Sequence, residues 1–169
     1  MTQPSAIKIK DLSKFYGKLK AVDSISLDIK EGEFFALLGP NGAGKTTTIH
    51  ILTILAVKTS GEVKIFGYDI QKEPTLAKQC IGLVPQEYNM DIFEIVEKFL
   101  FFNAGYYGIP RKMRQKRIDE VLKLTGLEDK RKSKILALSG GMKRKLMIAR
   151  ALLHKPKILI LDEPTAGVE

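Results

Sequence analysis

One stretch of nine residues, "GPNGAGKTT" from Gly39 to Thr47, constrains this chain more than any other. It matches the pattern G-x-x-x-x-G-K-[ST], with Gly39, Gly44, Lys45 and Thr46 at the fixed positions. Glycines let the backbone curl until successive N–H groups point inward at phosphate oxygens. A following helix adds its positive N-terminal end. The lysine reaches the outer phosphates, and the threonine hydroxyl is a ligand for Mg²⁺. The flanks agree with this. "FFALL" (Phe34 to Leu38) is a continuous apolar run closed by Gly39, the pattern of a strand buried on both faces. "TTTIHILTIL" then spaces Ile49, Leu52 and Leu55 or Ala56 as an inward helical face. Such a motif arises by chance in on the order of one chain in a hundred of this size.

A second chemical stretch follows much later. In "KILILDE" an apolar run, expected as another fully buried strand, delivers Asp162 and Glu163 at its carboxyl end. Ligands bind at that end in α/β sheets. Asp162 can hold Mg²⁺ directly or through water, and Glu163 can orient and deprotonate a water attacking the γ-phosphate. An adjacent acidic pair could also serve as a helix cap; the glycine loop favours catalysis.

The remaining chain reads as an α/β domain. "IKIKDL" and "ISLDIKEGE" alternate as half-buried strands, the second with Ile25, Leu27 and Ile29 inward. "EVKIFGYDI" is a short strand turning at Gly67, and "CIGLVPQ" a strand stopped by Pro85. Helices are predicted over Ile92 to Asn103, over Arg111 to Leu124 with Gly126 as the stop, and over "GGMKRKLMIARALLH". In the last, Met142, Leu146, Ala149 and Leu153 share a face, with Lys143 and Arg150 opposite. The 169 residues suffice for one domain with a core. The apolar runs are too short to span a bilayer, and the start lacks a signal-peptide pattern. Cys80 stands alone and reads as a small buried hydrophobe. The net charge of +9 gathers in "RKMRQKR", "KRKSK" and "KRK". Without interleaved aromatic residues for base stacking, these are read as solvated helix faces.

With "LSGGM" (Leu138 to Met142) before the acidic strand, and "VPQE" and "LDEPTAG" in order, the chain resembles the ATP-binding domain of ABC transporters, most closely the ABC-2-type exporter group. The resemblance covers nearly the whole chain. It implies an α/β P-loop NTPase core of ABC ATPase type over residues 5–169, with an N-terminal antiparallel β part and an inserted helical subdomain at 87–137. It implies ATP and Mg²⁺ as cofactors. Gly39, Pro40, Asn41, Gly42, Ala43, Gly44, Lys45, Thr46 and Thr47 would cradle the phosphates, and Tyr16 would stack on adenine. Gln86 would contact Mg²⁺ or the attacking water. Ser139, Gly140 and Gly141 would bind the γ-phosphate held by a second, opposite copy. Lys45, Gln86 and Glu163 are the expected catalytic set, and Thr46, Gln86 and Asp162 the metal set.

The implied partners are a second ATP-binding domain in a homodimer and an integral membrane permease. The implied place is cytoplasmic, peripheral on the inner face of the membrane, with no direct nucleic acid. Met142 stands where the signature commonly has Gln, as a subfamily mark. Glu169 stands where Asp is usual. The family's switch histidine matches neither His50 nor His154, so this form is expected to hydrolyse ATP poorly. A soluble ABC-type ATPase acting on ribosomes or nucleic acid, and a non-catalytic nucleotide-binding remnant, are the competing readings.

Overall fold

A computed structural model describes residues 4–87 and 90–162, and the chain divides into two compact units, 1–81 and 82–169.

The first unit is built on an antiparallel sheet. Strands β1 (Ser5–Tyr16) and β2 (Leu19–Lys30) form a hairpin around Gly17 and Lys18, and β3 (Ser60–Ile65) and β4 (Tyr68–Asp69) complete the order β2-β1-β3-β4. Alternation places Ile7 and Ile9 inward and Lys8 and Lys10 outward. A strict two-residue period would then turn Asp11 into the core. A bulge prevents this: the register shifts between Ile9 and Leu12, Asp11 takes φ 49°, and its N–H donates to Ser26 Oγ at 2.9 Å. Leu12 thereby lands fully buried. Gly61 sits against this bulge at φ +89°, where a Cβ would lie 2.4 Å from the Asp11 carbonyl oxygen, so no side chain fits. Helices α1 (Lys45–Leu52) and α2 (Pro74–Gln79) belong to the same unit. Helix α1 stops earlier than its apolar spacing suggests, because Ile54 turns to φ 59° and the Leu55 and Ala56 amides both donate to the His50 carbonyl.

The expectation for Phe34 to Leu38 fails. Residues 33–40 form no strand, and Phe34 is 98% exposed and Leu38 88%. An apolar run shows that a segment can be buried on both faces; it does not supply the neighbouring strands, which must come from elsewhere in the chain. Among the described residues none pairs with this stretch.

The second unit is mainly helical. Helices α3 (Val96–Tyr106), α4 (Arg111–Thr125) and α5 (Gly140–Leu152) enclose one core, with Val96, Leu100 and Ala104 at i, i+4 and i+8 facing Ile118, Val121 and Leu122. Leu146, Ala149 and Leu153 of the α5 segment join it, on the face the spacing indicates. The other buried stripe of α5, Met147 and Ala151, packs with Val84 of strand β5 (Ile81–Val84). Helix α4 ends at Gly126, φ 64°, as read. Helix α3 begins at Val96 rather than Ile92. The preceding backbone is bonded to another segment: Leu136 N–H donates to Ile92, Ile135 N–H to Glu94, and Val96 N–H to Ser133.

Strand β6 (Ile158–Leu161) pairs with β5, and Cys80 is buried as expected. β6 is not buried on both faces: Leu159 and Leu161, which alternation puts on one face, are each more than a third exposed. The basic stretches are also not plain solvated faces. Arg117 donates to the carbonyls of Leu152 and Leu153 at 2.5 and 2.7 Å, closing the C-terminal end of α5. Arg131 pairs with Glu97 and Asp119, and Arg144 is buried. No helix among the described residues is long and apolar enough to cross a membrane.

Candidate nucleotide site

The glycine loop lies in the first unit. Gly42 and Gly44 take φ 83° and 84°, conformations that L side chains rarely adopt. Gly44 has a second reason to be glycine. A Cβ there would sit 2.4 Å from the Ala21 carbonyl oxygen of β2. The hairpin that walls Gly44 also carries Tyr16, at the end of β1 opposite Leu19. Tyr16 is 49% exposed, with the Lys14 ammonium 4.5 Å from its ring centroid.

Gly44 is the N-terminal cap of α1 and offers no side-chain acceptor. Thr48 N–H donates to the Gly44 carbonyl at 2.8 Å. The amides of Lys45, Thr46 and Thr47 precede that bond and lie in the first turn, where helical N–H groups have no intrahelical acceptor. This suits an anion. Thr48 Oγ also donates to the Gly44 carbonyl, at 2.9 Å, anchoring the start of the helix. Of the three threonines it is the buried one, while Thr46 and Thr47 are half-buried. Lys45 Nζ donates to the carbonyls of Gly39 at 2.7 Å and Pro40 at 3.0 Å, folding over the loop that precedes it.

The second unit holds the other predicted residues. Asp162 follows β6 and is 6% exposed; its N–H donates to the Val84 carbonyl at 3.0 Å. Gln86 is exposed, two residues beyond Val84. Ser139 caps α5, its Oγ accepting the Met142 N–H at 3.3 Å, and Gly140 and Gly141 are exposed, with open space where a Cβ would be. Glu163 and Glu169 lie outside the described residues. His154 stacks on Tyr107 with centroids 4.2 Å apart. The oxygen donors in the expected metal set, the Thr46 hydroxyl, the Gln86 amide and the Asp162 carboxylate, are hard ligands of the kind Mg²⁺ takes.

Sequence reasoning missed Arg144. Its Nη1 donates to the Pro85 carbonyl at 3.0 Å and its Nη2 to the Asp162 carbonyl at 3.5 Å. The signal was present in the spacing: 144, 147 and 151 fall on one helical stripe, so Arg144 shares the inward face of Met147 and Ala151.

The ABC transporter family matches residues 22–166. The linearmycin resistance ATP-binding protein LnrL of Bacillus subtilis is 45% identical over 96% of this chain and 52% of its own length. The bacitracin transport ATP-binding protein BcrA of Bacillus licheniformis is 42% identical over 96% and 52%. The Nod factor export ATP-binding protein I of Paraburkholderia xenovorans is 39% identical over 98% and 54%. The chain thus spans about half the length of the curated relatives it matches. Among solved structures, cbiO1 from Clostridium perfringens, part of the ABC transporter complex cbiONQ, superposes with TM-score 0.87 at 32% identity, over 99% of this chain and 68% of that one.

Proposed function

The chain belongs to the ABC transporter family, and on that premise we propose that it serves as the ATP-binding part of an ABC-2-type export system. It would couple ATP binding and hydrolysis, in a head-to-tail homodimer, to export through a separate membrane permease. The observation that carries this is the glycine loop. Its left-handed glycines, the first-turn amides of α1 and the Lys45 ammonium together form a site for the phosphates of a nucleotide. Three relatives named for linearmycin resistance, bacitracin transport and Nod factor export favour export as the role. The basic residues that would have suited a ribosome or nucleic acid are partly engaged within the protein, as Arg117, Arg131 and Arg144 illustrate.

In this reading Tyr16 stacks on adenine, using the ring face away from Lys14. Lys45 exchanges its two carbonyls for β- and γ-phosphate oxygens. Bound Mg²⁺ would neutralise charge on those phosphates. Thr46, Gln86 and Asp162 would hold it, and Glu163 would take a proton from the attacking water. Ser139, Gly140 and Gly141 present a hydroxyl, open glycines and a helix start to the γ-phosphate bound by the opposite copy. The protein would act in the cytoplasm, reaching the inner face of the membrane only through the permease.

The test is equilibrium binding of ATP to the wild-type chain and to Lys45→Ala. Loss of charge-assisted bonds to phosphate should weaken binding by about tenfold or more. Equal affinity in the two proteins would overturn the proposal.

A further inference from the structure

We infer that Arg144 is a positioning residue for the two metal-side groups Gln86 and Asp162, acting through their backbone and touching neither metal nor nucleotide. The inference rests on the nucleotide-binding reading above.

Arg144 is 8% exposed and stands in α5 on the stripe of Met147 and Ala151. An apolar side chain would fill that place without burying a charge. A guanidinium is costly to bury unless its N–H groups find acceptors, so the acceptors it holds indicate its use. Among them are the Pro85 carbonyl at 3.0 Å and the Asp162 carbonyl at 3.5 Å. Two nitrogens of one rigid planar group therefore hold two chain segments at a fixed separation.

Both segments are leaving the β5–β6 pair at this point. The Asp162 N–H to Val84 carbonyl bond lies next to the clamp. Pro85 has no N–H with which to extend the pairing. Arg144 takes over where the ladder stops. It fixes the peptide from which Gln86 departs and the peptide that carries the Asp162 side chain. Mg²⁺ accepts little deviation from octahedral geometry, so two donors on separate strand ends need a common brace. Such outer supports are worth a large share of metal affinity. Because Ser139 caps the start of α5, the same arginine also links the signature segment to that pair.

The experiment measures ATP affinity of the full chain in EDTA and in Mg²⁺, for wild type, Arg144→Met, Arg144→Lys and the packing control Leu146→Ala. Arg144→Met should bind ATP in EDTA within about twofold of wild type but lose about tenfold or more of the gain that Mg²⁺ gives. Arg144→Lys keeps charge and bulk without the fork and should lose a smaller part, about threefold. Leu146→Ala should lower the melting temperature while leaving the Mg²⁺ gain intact. The inference is overturned if either arginine variant that folds keeps the full gain, or if Arg144→Met loses affinity equally in EDTA. Wild type that binds ATP with no gain from Mg²⁺ also overturns it, leaving nucleotide binding in place. Wild type that binds no ATP in either condition overturns the underlying reading instead.

Discussion

The glycine-loop unit and the helical unit use similar apolar material differently. In the second unit Leu100, Ile118, Leu122 and Leu146 are all fully buried in one closed cluster. In the first, Ile7, Ile9, Leu12 and Val63 are buried in the sheet, yet Phe34 and Leu38, next to the glycine loop, face solvent. Helices satisfy their own backbone and need only a neighbouring face. A strand buried on both sides needs partners along both edges, and those are supplied by distant sequence. Closure thus needs only apposed faces in one unit, and edge partners as well in the other.

The largest effect is expected in the helical core. Leu100→Ala should cost the helical core about 2–5 kcal/mol, read from a shift in the urea midpoint; a cost below about 1 kcal/mol would mean the core is not closed as described. A smaller effect is expected from Asp69 in the sheet unit. Its carboxylate accepts the N–H of Gln71 and of Lys72, which holds its pKa below the ordinary 3.8. The unfolded chain then binds the proton more tightly than the folded one. The stabilisation is fully present above about pH 4 and is lost as pH falls through the lowered folded value. Asp69→Asn should therefore be less stable than wild type near neutrality, with the gap narrowing at about pH 3. A gap independent of pH would remove the charge from the explanation. The smallest effect belongs to Phe34→Ala, within about 0.5 kcal/mol for so exposed a side chain. A loss of about 3 kcal/mol or more there would place this stretch in a closed sheet after all.

Much of this arrangement is legible in the chain itself, for reasons that differ by residue. Helix α4 spans Arg111–Thr125 where the sequence predicts 111–124, because its apolar spacing and Gly126 are local signals. The glycine loop is legible because φ near +84° at Gly44 and the approach of Ala21 leave room for nothing larger. What escaped reading depends on residues far along the sequence. The start of α3 is set by residues 133–136, and the burial of Arg144 by acceptors 18 and 59 positions away. The fold-back of Lys45 onto Gly39 and Pro40 carries no sequence signal of its own.

That fold-back bears on selectivity. With its ammonium already seated on two neutral carbonyls, the loop has an internal competitor for every ligand. Affinity for any anion is the difference between two sets of bonds, not the sum of one. A monophosphate that engages the first-turn amides but stops short of Nζ leaves the lysine where it is and gains nothing from it. A chain of phosphates long enough to offer Nζ formal negative charge draws it away, because charged acceptors bind an ammonium more strongly than neutral ones do. In the proposed role Lys45 therefore makes the loop sensitive to the length of its ligand, before Gln86 or Glu163 takes part.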